Sequence, residues 1–575
     1  MSEKYQNLVL GCQNCKNDFI IEPDDFSFYA KIKVPPPTFC PQCRRQRRFA
    51  FRNTHSLYKR KDSFSDKDII SIYSPDKNLV VIDQNTWWGD SWDPMDFSVN
   101  YDFSKNFFSQ WANLRNKIPL QSLSNSKSVN SDYCNVAEQN KDCYLITACY
   151  QNERLYYSDS VYNNKDCIDL HVVYRTEFSY DDLNCSDSYK LFYSENSHSC
   201  MESYFLYDCK NCNHCFMSSN LRNKSYVFRN QQLSKEEYLN KIKEINFGSY
   251  ITITKLKKEM SDMKIKIIHR YAQIVNSINT IGDYVENAKN VKFGFYLSDN
   301  TENCKFMYWG GLKAKDCFDT DACAVLEQSY EIFDVGVGSN KCFFGSVIYS
   351  CNEVEYSFNC YNSSNLFGCI GLRNKQYCIL NKQYTKEEYF EMVEKIKKQM
   401  EDIPYIDKKG NIYKYGEFFP IELSPFAYNE TVSFDLFPLN KESTLQNGFM
   451  WLDNIKREIN IDLLQENIID DIRFVQNDIV SKVIECAHKG ECNHKCKKAF
   501  KILENELIFY KNLNIPIPRL CYACRHYERF NKRKPLELWH RKCMKEGCNN
   551  EFETSYSPDR PEIIYCEKCY QAEVY

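Results

Sequence analysis

In the middle of the chain, cysteines recur every nine residues. Each is a small apolar residue between polar stretches. The same step separates Cys200 from Cys209, and one run keeps it throughout: Cys342, Cys351, Cys360, Cys369 and Cys378. Nine residues make about two and a half turns of an α-helix, so one helix face cannot carry the pattern. We therefore predict a β-solenoid whose coils of about eighteen residues stack like residues on each of two sheets.

Polar triplets precede several of these central cysteines. Asn-Lys-Asp leads into Cys143 and Cys167, and Ala-Lys-Asp leads into Cys317. Asn and Asp favour turns, so we predict the triplets at corners and the cysteines inside the coil, where a free thiol packs as a small apolar group. One central group also has a spacing that would fit a metal site: Cys209, Cys212, His214 and Cys215.

The central region is duplicated, since residues 131–246 align with residues 282–397 at an offset of about 151. Each copy ends in a capping box, Ser234 with Glu237 in the first and Thr385 with Glu388 in the second. We predict a helix after each box, covering the open end of its solenoid.

Neither the net charge of the chain nor its hydropathy indicates a nucleic-acid-binding or membrane protein. The 575 residues carry a formal net charge of -3, and no run approaches the roughly 20 apolar residues that span a bilayer. The first residues lack the apolar segment of a secretory leader, so we expect a cytoplasmic protein. In such a reducing compartment, thirty cysteines favour metal sites over structural disulfides.

The two ends of the chain carry the same cysteine frame. Cys12-x2-Cys15-x24-Cys40-x2-Cys43 recurs as Cys492-x3-Cys496-x24-Cys521-x2-Cys524, and a further frame closes the chain. Four thiolates from two knuckles suit one tetrahedral Zn²⁺ in a closed, structural shell, so we predict about three zinc ions. Their predicted ligands are Cys12, Cys15, Cys40, Cys43, Cys492, Cys496, Cys521, Cys524, Cys543, Cys548, Cys566 and Cys569. The alternatives to Cys492 are Cys486, His488 and His494.

The tandem ribbon pair is duplicated whole, but one of its four ribbons has lost its ligands. Where the last ribbon has its four cysteines, the N-terminal copy has Asp62, Ser65, Asp83 and Thr86. We predict that this degenerate ribbon folds without metal, held by packing of Trp87, Trp88 and Trp92. The shared framework also predicts that the two ends pack together as a pseudo-symmetric unit.

Basic residues follow the second knuckle in both terminal modules. Residues 44–61 hold eight cations interleaved with aromatic residues and contain no acidic residue. Such a stretch is typical of contact with single strands or phosphate backbones. The alternatives are a solvated face that neutralises the thiolate cluster and a contact for an acidic protein. The predicted contact residues are Arg44, Arg45, Arg47, Arg48, Arg52, Lys59, Arg60, Lys61, Arg525 and Arg529.

These patterns predict a mainly β protein with some helices, in which duplicated zinc ribbons flank a duplicated solenoid. The expected segments are a zinc ribbon with a degenerate second ribbon (1–93), an aromatic linker or helix (94–130), solenoid copy 1 with its helix (131–248), a helical bridge (249–281), solenoid copy 2 with its helix (282–400), an extended strap and helix (401–480) and tandem zinc ribbons (481–575).

Several longer motifs are spread over nearly the whole chain. They are Phe39-Cys40-Pro41-Gln42-Cys43-Arg44, Tyr73-Ser74-Pro75-Asp76, Trp87-Trp88, Leu221-Arg222-Asn223-Lys224, Tyr415-Gly416-Glu417-Phe418-Phe419-Pro420, Ser424-Pro425-Phe426-Ala427-Tyr428-Asn429-Glu430 and Tyr565-Cys566-Glu567-Lys568-Cys569-Tyr570. With them the chain resembles a family of uncharacterised zinc-ribbon proteins of candidate-phylum bacteria and giant viruses. Relatives usually keep cysteines in the degenerate ribbon. The resemblance implies no activity, and it implies host cytoplasm or a virion as the location if the chain is viral.

The motifs of common enzyme classes do not occur, since the chain has no Gly-rich phosphate loop, nucleophile elbow or zincin motif. The leading hypothesis is a non-enzymatic binder whose zinc ribbons grip nucleic acid or an acidic protein, with solenoids setting their spacing. The alternative is a structural or assembly protein that binds a protein along the solenoid faces. A third hypothesis is a solenoid hydrolase or transferase, with carboxylates from Asp166, Asp169, Asp181, Asp182 and Asp187.

Overall fold

Strands outnumber helices in the computed structural model, which describes residues 6–453 and 458–575. The N-terminal module begins with the antiparallel hairpin Leu8–Gly11 and Asp18–Ile21, followed by helices Pro23–Ile32 and Pro41–Phe49. A second hairpin, Tyr58–Lys61 with Asp68–Ser71, belongs to the degenerate ribbon. The elements that lead from it to the centre are Val81–Ile82, Gln84–Trp88, Pro94–Phe97, Phe107–Lys117 and Leu120–Gln121.

Residues 125–232 form a stack of short, mostly parallel strands, which we call the first stack. Partner residues lie twelve positions apart, as Asn135 with Thr147 and Thr147 with Asp159. This twelve-residue register shows that the predicted coil of eighteen residues is wrong. The strands are Asn125–Ser126, Asn135–Glu138, Thr147–Tyr150, Glu153–Tyr156, Asp159–Tyr162, Lys165–Ile168, His171–Tyr174, Leu183–Ser186, Tyr189–Phe192, Met201–Tyr207, Asn213–Ser219, Ser225–Phe228 and Gln231–Gln232.

A three-residue unit builds each twelve-residue step. Every third residue from Tyr133 onward has a positive φ, for example 52° at Val136 and 56° at Gln139. Left-handed residues turn the chain sharply, and continuous hydrogen bonding between neighbouring strands compensates for their backbone strain. The residues that follow these corners, such as Cys134 and Ala137, are buried inside the stack.

The buried cysteines are hydrogen-bonded along the stack axis, which explains the nine-residue step. The Cys342 thiol donates to the carbonyl of Cys351 at 3.6 Å, and the Cys351 thiol donates to that of Cys360 at 3.5 Å. Nine residues correspond to one register step of twelve residues less one three-residue unit. These thiols act as small buried side chains with a hydrogen-bond partner.

Residues 274–383 form a second stack with the same parallel pairing. Its early registers vary between eleven and thirteen residues and include bulges, one of them at Gly310. Gly310 has φ 127°, and a Cβ there would lie 2.0 Å from the Cys323 carbonyl oxygen, so only glycine fits. The strands are Ile274–Val275, Ile278–Glu286, Ala288–Leu297, Thr301–Lys305, Tyr308–Lys315, Phe318–Glu327, Tyr330–Phe343, Ser346–Tyr349, Asn352–Glu355, Phe358–Tyr361, Ser364–Phe367, Gln376–Ile379 and Lys382–Gln383.

Each stack ends in an antiparallel strand pair and a helix, Lys235–Lys243 in the first and Lys386–Asp402 in the second. Both predicted capping boxes are confirmed: Ser234 accepts from the Glu237 amide, and Thr385 accepts from the Glu388 amide. Between the stacks, helix Tyr250–Lys266 is followed by strand Ile268–Arg270, which pairs with Ile563–Tyr565.

The strap after residue 402 first lies across the N-terminal module and the second stack, and its last part, around residues 468–479, packs in the core of the C-terminal module and the first stack. Its Gly416 amide donates to the Tyr356 hydroxyl at 2.9 Å, and Glu417 accepts from the Thr38 amide at 2.8 Å. The elements of the strap are Tyr405–Ile406, Ile412–Tyr413, Ile421–Leu423, Tyr428–Glu430, Val432–Leu436, Lys441–Gln446, Gln465–Asn467, Ile472–Phe474 and Asn477–Ser481.

The C-terminal module repeats the architecture of the N-terminal one. Its two hairpins pair Ile484–Glu485 with Ala499–Phe500, and Trp539–Lys542 with Glu551–Thr554. Its helices and last strand are Glu504–Asn512, Tyr522–Phe530, Ile563–Tyr565 and Glu567–Val574. One apolar core joins the N-terminal module to the second stack, and another joins the C-terminal module to the first stack. Each ribbon module is therefore packed on the stack farther from it in sequence.

Candidate metal centres and the ribbon interfaces

The first cysteine frame comes together as a four-sulfur group of Cys12, Cys15, Cys40 and Cys43. Cys40 precedes helix Pro41–Phe49, and its amide donates to the Cys12 sulfur at 3.2 Å. The Cys15 and Cys40 sulfurs lie 3.8 Å apart. Tetrahedral ligands at about 2.3 Å from a zinc ion are about 3.8 Å apart, so the group fits a metal ion.

The last frame has the same geometry. Cys543, Cys548, Cys566 and Cys569 form one group, in which the Cys566 amide donates to the Cys543 sulfur at 3.2 Å. The sulfurs of Cys548 and Cys566 are 3.9 Å apart. Burial opposes ionisation of Cys566, but the Asn550 side chain and neighbouring donors lower its pKa to about 7. A thiol that ionises readily favours metal binding, because thiolates are the ligands.

The second frame differs from the sequence alignment in one ligand. Cys486 occupies the position of Cys12, since the Cys521 amide donates to its sulfur at 3.2 Å and its side chain is fully buried. The four-sulfur group is Cys486, Cys496, Cys521 and Cys524. Cys492, the ligand predicted from the alignment, lies outside this group, and its sulfur is 3.7 Å from the Cys524 sulfur. The longer loop between Cys486 and Cys496 hid the match.

The degenerate ribbon keeps the fold without a thiolate cluster because Asp62 replaces the missing ligand. The Asp83 amide donates to Asp62 at 2.6 Å, just as the Cys566 amide donates to Cys543 in the last ribbon. The same carboxylate accepts from the amides of Phe64 and Ser65 at 2.8 and 2.7 Å. Burial opposes ionisation of Asp62, but these amides hold its pKa below the ordinary value.

The tryptophans predicted to hold this ribbon are only partly inside it. Trp87 is fully buried and Trp92 nearly so, whereas Trp88 is 44% exposed. Arg373 of the second stack lies over all three rings and donates to the Trp87 carbonyl at 2.7 Å. The rings therefore attach the ribbon to the stack.

The arginines of residues 44–52 form no free basic surface, because they are buried against carboxylates of the second stack and the strap. Arg44 lies 2.6 Å from Asp319, and Arg48 lies 3.1 Å from Asp319 and 2.7 Å from Asp321. All four side chains are at most 1% exposed. Other pairs are Arg45 with Asp321, Arg47 with Glu331 and with Glu417, and Arg52 with Asp334.

The C-terminal module repeats these ion pairs on the first stack. Arg525 lies 2.7 Å from Asp169, and Arg529 lies 2.9 Å from the same carboxylate. Arg529 also lies 3.5 Å from Asp181. Arg525 matches Arg44 in the ribbon alignment. Asp169 and Asp319 each stand two residues after the cysteine of a matching Lys-Asp-Cys motif, so both ribbons dock in one way.

The other predicted contacts remain nearer the surface. Lys59 and Lys61 are exposed and pair with Asp68, while Arg60 donates to the carbonyls of Tyr73, Ser74 and Leu79. The carboxylates considered for a hydrolase are divided among other roles. Asp169 and Asp181 bind the ribbon arginines, whereas Asp166 and Asp187 pair with Arg154 and Arg175. Asp182 is buried and accepts from the Ser194 amide, and burial raises its pKa.

The central cysteine group does not assemble with its histidine. His214 lies 2.7 Å from Glu202, while the thiols of Cys209, Cys212 and Cys215 donate to backbone carbonyls. The two ends do meet, as predicted: the rings of His55 and His526 have centroids 4.6 Å apart.

Comparison with protein-family models, with curated proteins and with solved structures finds no match for this chain. Within the ranges 6–453 and 458–575, no helix combines the length and apolar character needed to cross a bilayer.

Proposed function

We propose that the protein is a zinc-dependent scaffold that binds a protein partner along the outer faces of its two stacks. In this proposal the stacks are β-solenoids, and the ribbon modules are clamps that fix them in one arrangement. The burial of the ribbon arginines carries the proposal. Arg44, Arg48 and Arg529 are at most 2% exposed, so their charge serves internal docking rather than contact with phosphates.

Zinc is the proposed ion because four thiolates suit its tetrahedral preference and close its coordination shell. A closed shell leaves no open position for a water or a substrate, which supports a structural role. Thiolate sites of this kind persist in a reducing compartment.

An ordered polar surface supports protein binding on the second stack. Asn279 donates to Asn290 at 3.0 Å, Asn290 donates to Asn303 at 2.9 Å, and Asn303 donates to Asp316 at 3.1 Å. We call these four residues the amide ladder. Asn279 and Asn290 are exposed. Side chains that are already held in one geometry lose little conformational freedom on binding, so the ladder is a preorganised contact surface.

Chemical cross-linking of the full chain in its native cell, followed by affinity purification with RNase and DNase, tests the proposal. We expect a nuclease-resistant protein partner whose cross-links map to the amide ladder and are lost in the variant N290R/N303R. The matched control is N240R, which alters an exposed asparagine on helix Lys235–Lys243, outside both stacks. Nuclease-sensitive capture, or steeply salt-dependent binding to oligonucleotides, would instead favour the nucleic-acid hypothesis.

A further inference from the structure

A second group of ligands surrounds one sulfur of the middle metal site. Ligand atoms of His488, Cys492, His494 and Cys524 all lie within 4.8 Å of one another. Cys524 also belongs to the four-sulfur group, where its sulfur lies 3.8 Å from Cys486 and 3.6 Å from Cys521. The Cys524 sulfur therefore belongs to both sets of four ligands.

The loop between the first two sulfur ligands explains where the extra ligands come from. Nine residues separate Cys486 from Cys496, whereas only two separate Cys12 from Cys15 in the N-terminal module. The added segment supplies His488, Cys492 and His494. All three lie between Cys486 and Cys496 of the four-sulfur group, so the loop brings the second group to the same sulfur, that of Cys524.

Two buried nitrogen atoms in this group lack partners. Nδ1 of His488 and Nδ1 of His494 are buried and accept or donate no hydrogen bond. A buried polar atom without a partner is costly, and a metal ion would satisfy both nitrogens at once. In the N-terminal module the matching sulfur, that of Cys43, instead accepts a hydrogen bond from the Asn14 side chain at 3.4 Å.

Neighbouring side chains hold one of the rings. The His494 ring stacks on Tyr527 with centroids 5.6 Å apart and planes 15° apart. The Tyr527 hydroxyl donates to Asp435, which also pairs with Lys495 at 2.8 Å. Outer partners that fix the orientation of a histidine are typical of metal ligands.

We propose that a second zinc ion binds His488, Cys492, His494 and Cys524, and that the Cys524 thiolate bridges it to the ion of the four-sulfur group. Two neutral imidazoles and two thiolates are a common ligand set for Zn²⁺. Charge also favours the pair. Four thiolates and one Zn²⁺ carry a net charge of minus two, whereas five thiolates and two Zn²⁺ carry minus one.

Native mass spectrometry of the intact, zinc-loaded protein tests the stoichiometry. We expect four zinc ions per chain: two in the middle cluster and one in each of the other sites. The variant H488N/H494N should lose one ion and keep three, with unchanged circular dichroism. The control H540N, in an exposed histidine outside the cysteine groups, should keep four. Three ions in the wild type, or no loss in H488N/H494N, would overturn the proposal.

Cadmium substitution tests the bridge independently of the count. With ¹¹³Cd we expect a resonance from a mixed sulfur and nitrogen site that is scalar-coupled to the resonance of a four-sulfur site, because both ions share Cys524. H488N/H494N should remove the mixed-ligand resonance and the coupling together. Four uncoupled resonances, or four-sulfur resonances alone, would refute a bridging thiolate. A single ion that moves between the two groups would give three ions and no coupling, and would also refute it.

Discussion

Arg44 of the N-terminal module lies 2.6 Å from Asp319 of the second stack, and both side chains are essentially inaccessible to solvent. The two residues are 275 positions apart in the sequence. Arg525 and Asp169 repeat the contact in the other half at 2.7 Å. Burial opposes the charge on Asp319, but Arg44 and Arg48 hold its pKa below the ordinary value. The ribbon is thus attached by charges that water cannot screen.

Replacing Arg44 by Ala should destabilise the N-terminal module by about 3 to 5 kcal/mol, because it removes one of the two arginines that pair with the buried Asp319 carboxylate. Urea denaturation followed by tryptophan fluorescence is a suitable measurement, since Trp87 and Trp111 lie in the core that joins this module to the second stack. The double variant R44M/D319L should recover much of the loss. Lys61→Ala is the exposed control. A similar loss in R44A and R44M/D319L would show that shape, not charge, decides the docking.

The sequence predicted the metal sites better than it predicted the interfaces, for a physical reason. Knuckle geometry is local, so the spacing of Cys40 and Cys43 determines how they meet. The prediction from local spacing missed Cys486, because a longer loop separates it from Cys496. The arginines of the N-terminal module are buried by pairing with carboxylates more than 270 residues away. No local sequence pattern reveals these pairs.

The cysteine spacing predicts the central repeat but not its register. Steps of nine and twelve are both multiples of three, and the step of nine dominates among the cysteines, although Cys200 and Cys212 are twelve apart. The twelve-residue register is visible instead in buried polar residues: Asn152 donates to Asn140 at 2.9 Å, and Asn164 donates to Asn152 at 3.2 Å. Both intervals are twelve residues. Asparagines at this interval are the sequence signal for the twelve-residue register.

Replacing Asp62 by Ala should open the degenerate ribbon locally, because three backbone amides lose their acceptor. Each buried amide left without a partner costs about 1 to 3 kcal/mol. Hydrogen exchange with mass spectrometry should show faster exchange in the peptides that contain Phe64, Ser65 and Asp83. Asp68→Ala, which removes an exposed carboxylate of the same hairpin, is the control. Unchanged exchange in D62A would mean that tryptophan packing alone holds the ribbon.

Thiols of the stacks should resist labelling in the native protein, whereas metal-site thiols should become reactive once a chelator removes the metal. Burial raises the pKa of Cys360 and Cys369 well above the usual value, so few of these thiols ionise. Absorbance titration with a disulfide reagent, before and after chelation and then in denaturant, separates the two classes. Cys360→Ala should reduce only the thiols released by denaturant, whereas Cys566→Ser should reduce those released by chelator and make the other three ligands of its site reactive beforehand. Early reaction of Cys360 would contradict the buried arrangement.

The stability of the protein should fall as the pH is lowered from about 6.5 to 4, in part because His269 is buried without charge. Its ring lies between the Tyr207 hydroxyl at 3.1 Å and the Lys264 carbonyl at 2.6 Å. Burial, with Lys534 and Lys264 nearby, lowers its pKa to about 4. Between these values the unfolded chain binds a proton that the folded protein does not, so acid favours unfolding by up to about 1.4 kcal/mol per pH unit.

The measurement is the slope of unfolding free energy against pH, compared between the wild type and His269→Phe. Zinc release in acid affects both proteins alike, so the difference between the two slopes isolates His269. We expect the variant to have the shallower slope over this range, whatever its absolute stability. His540→Ala removes an exposed histidine whose pKa is raised by Glu553 and Glu551, and its slope should not become shallower. Parallel slopes for the wild type and His269→Phe would show that His269 takes up its proton in the folded protein.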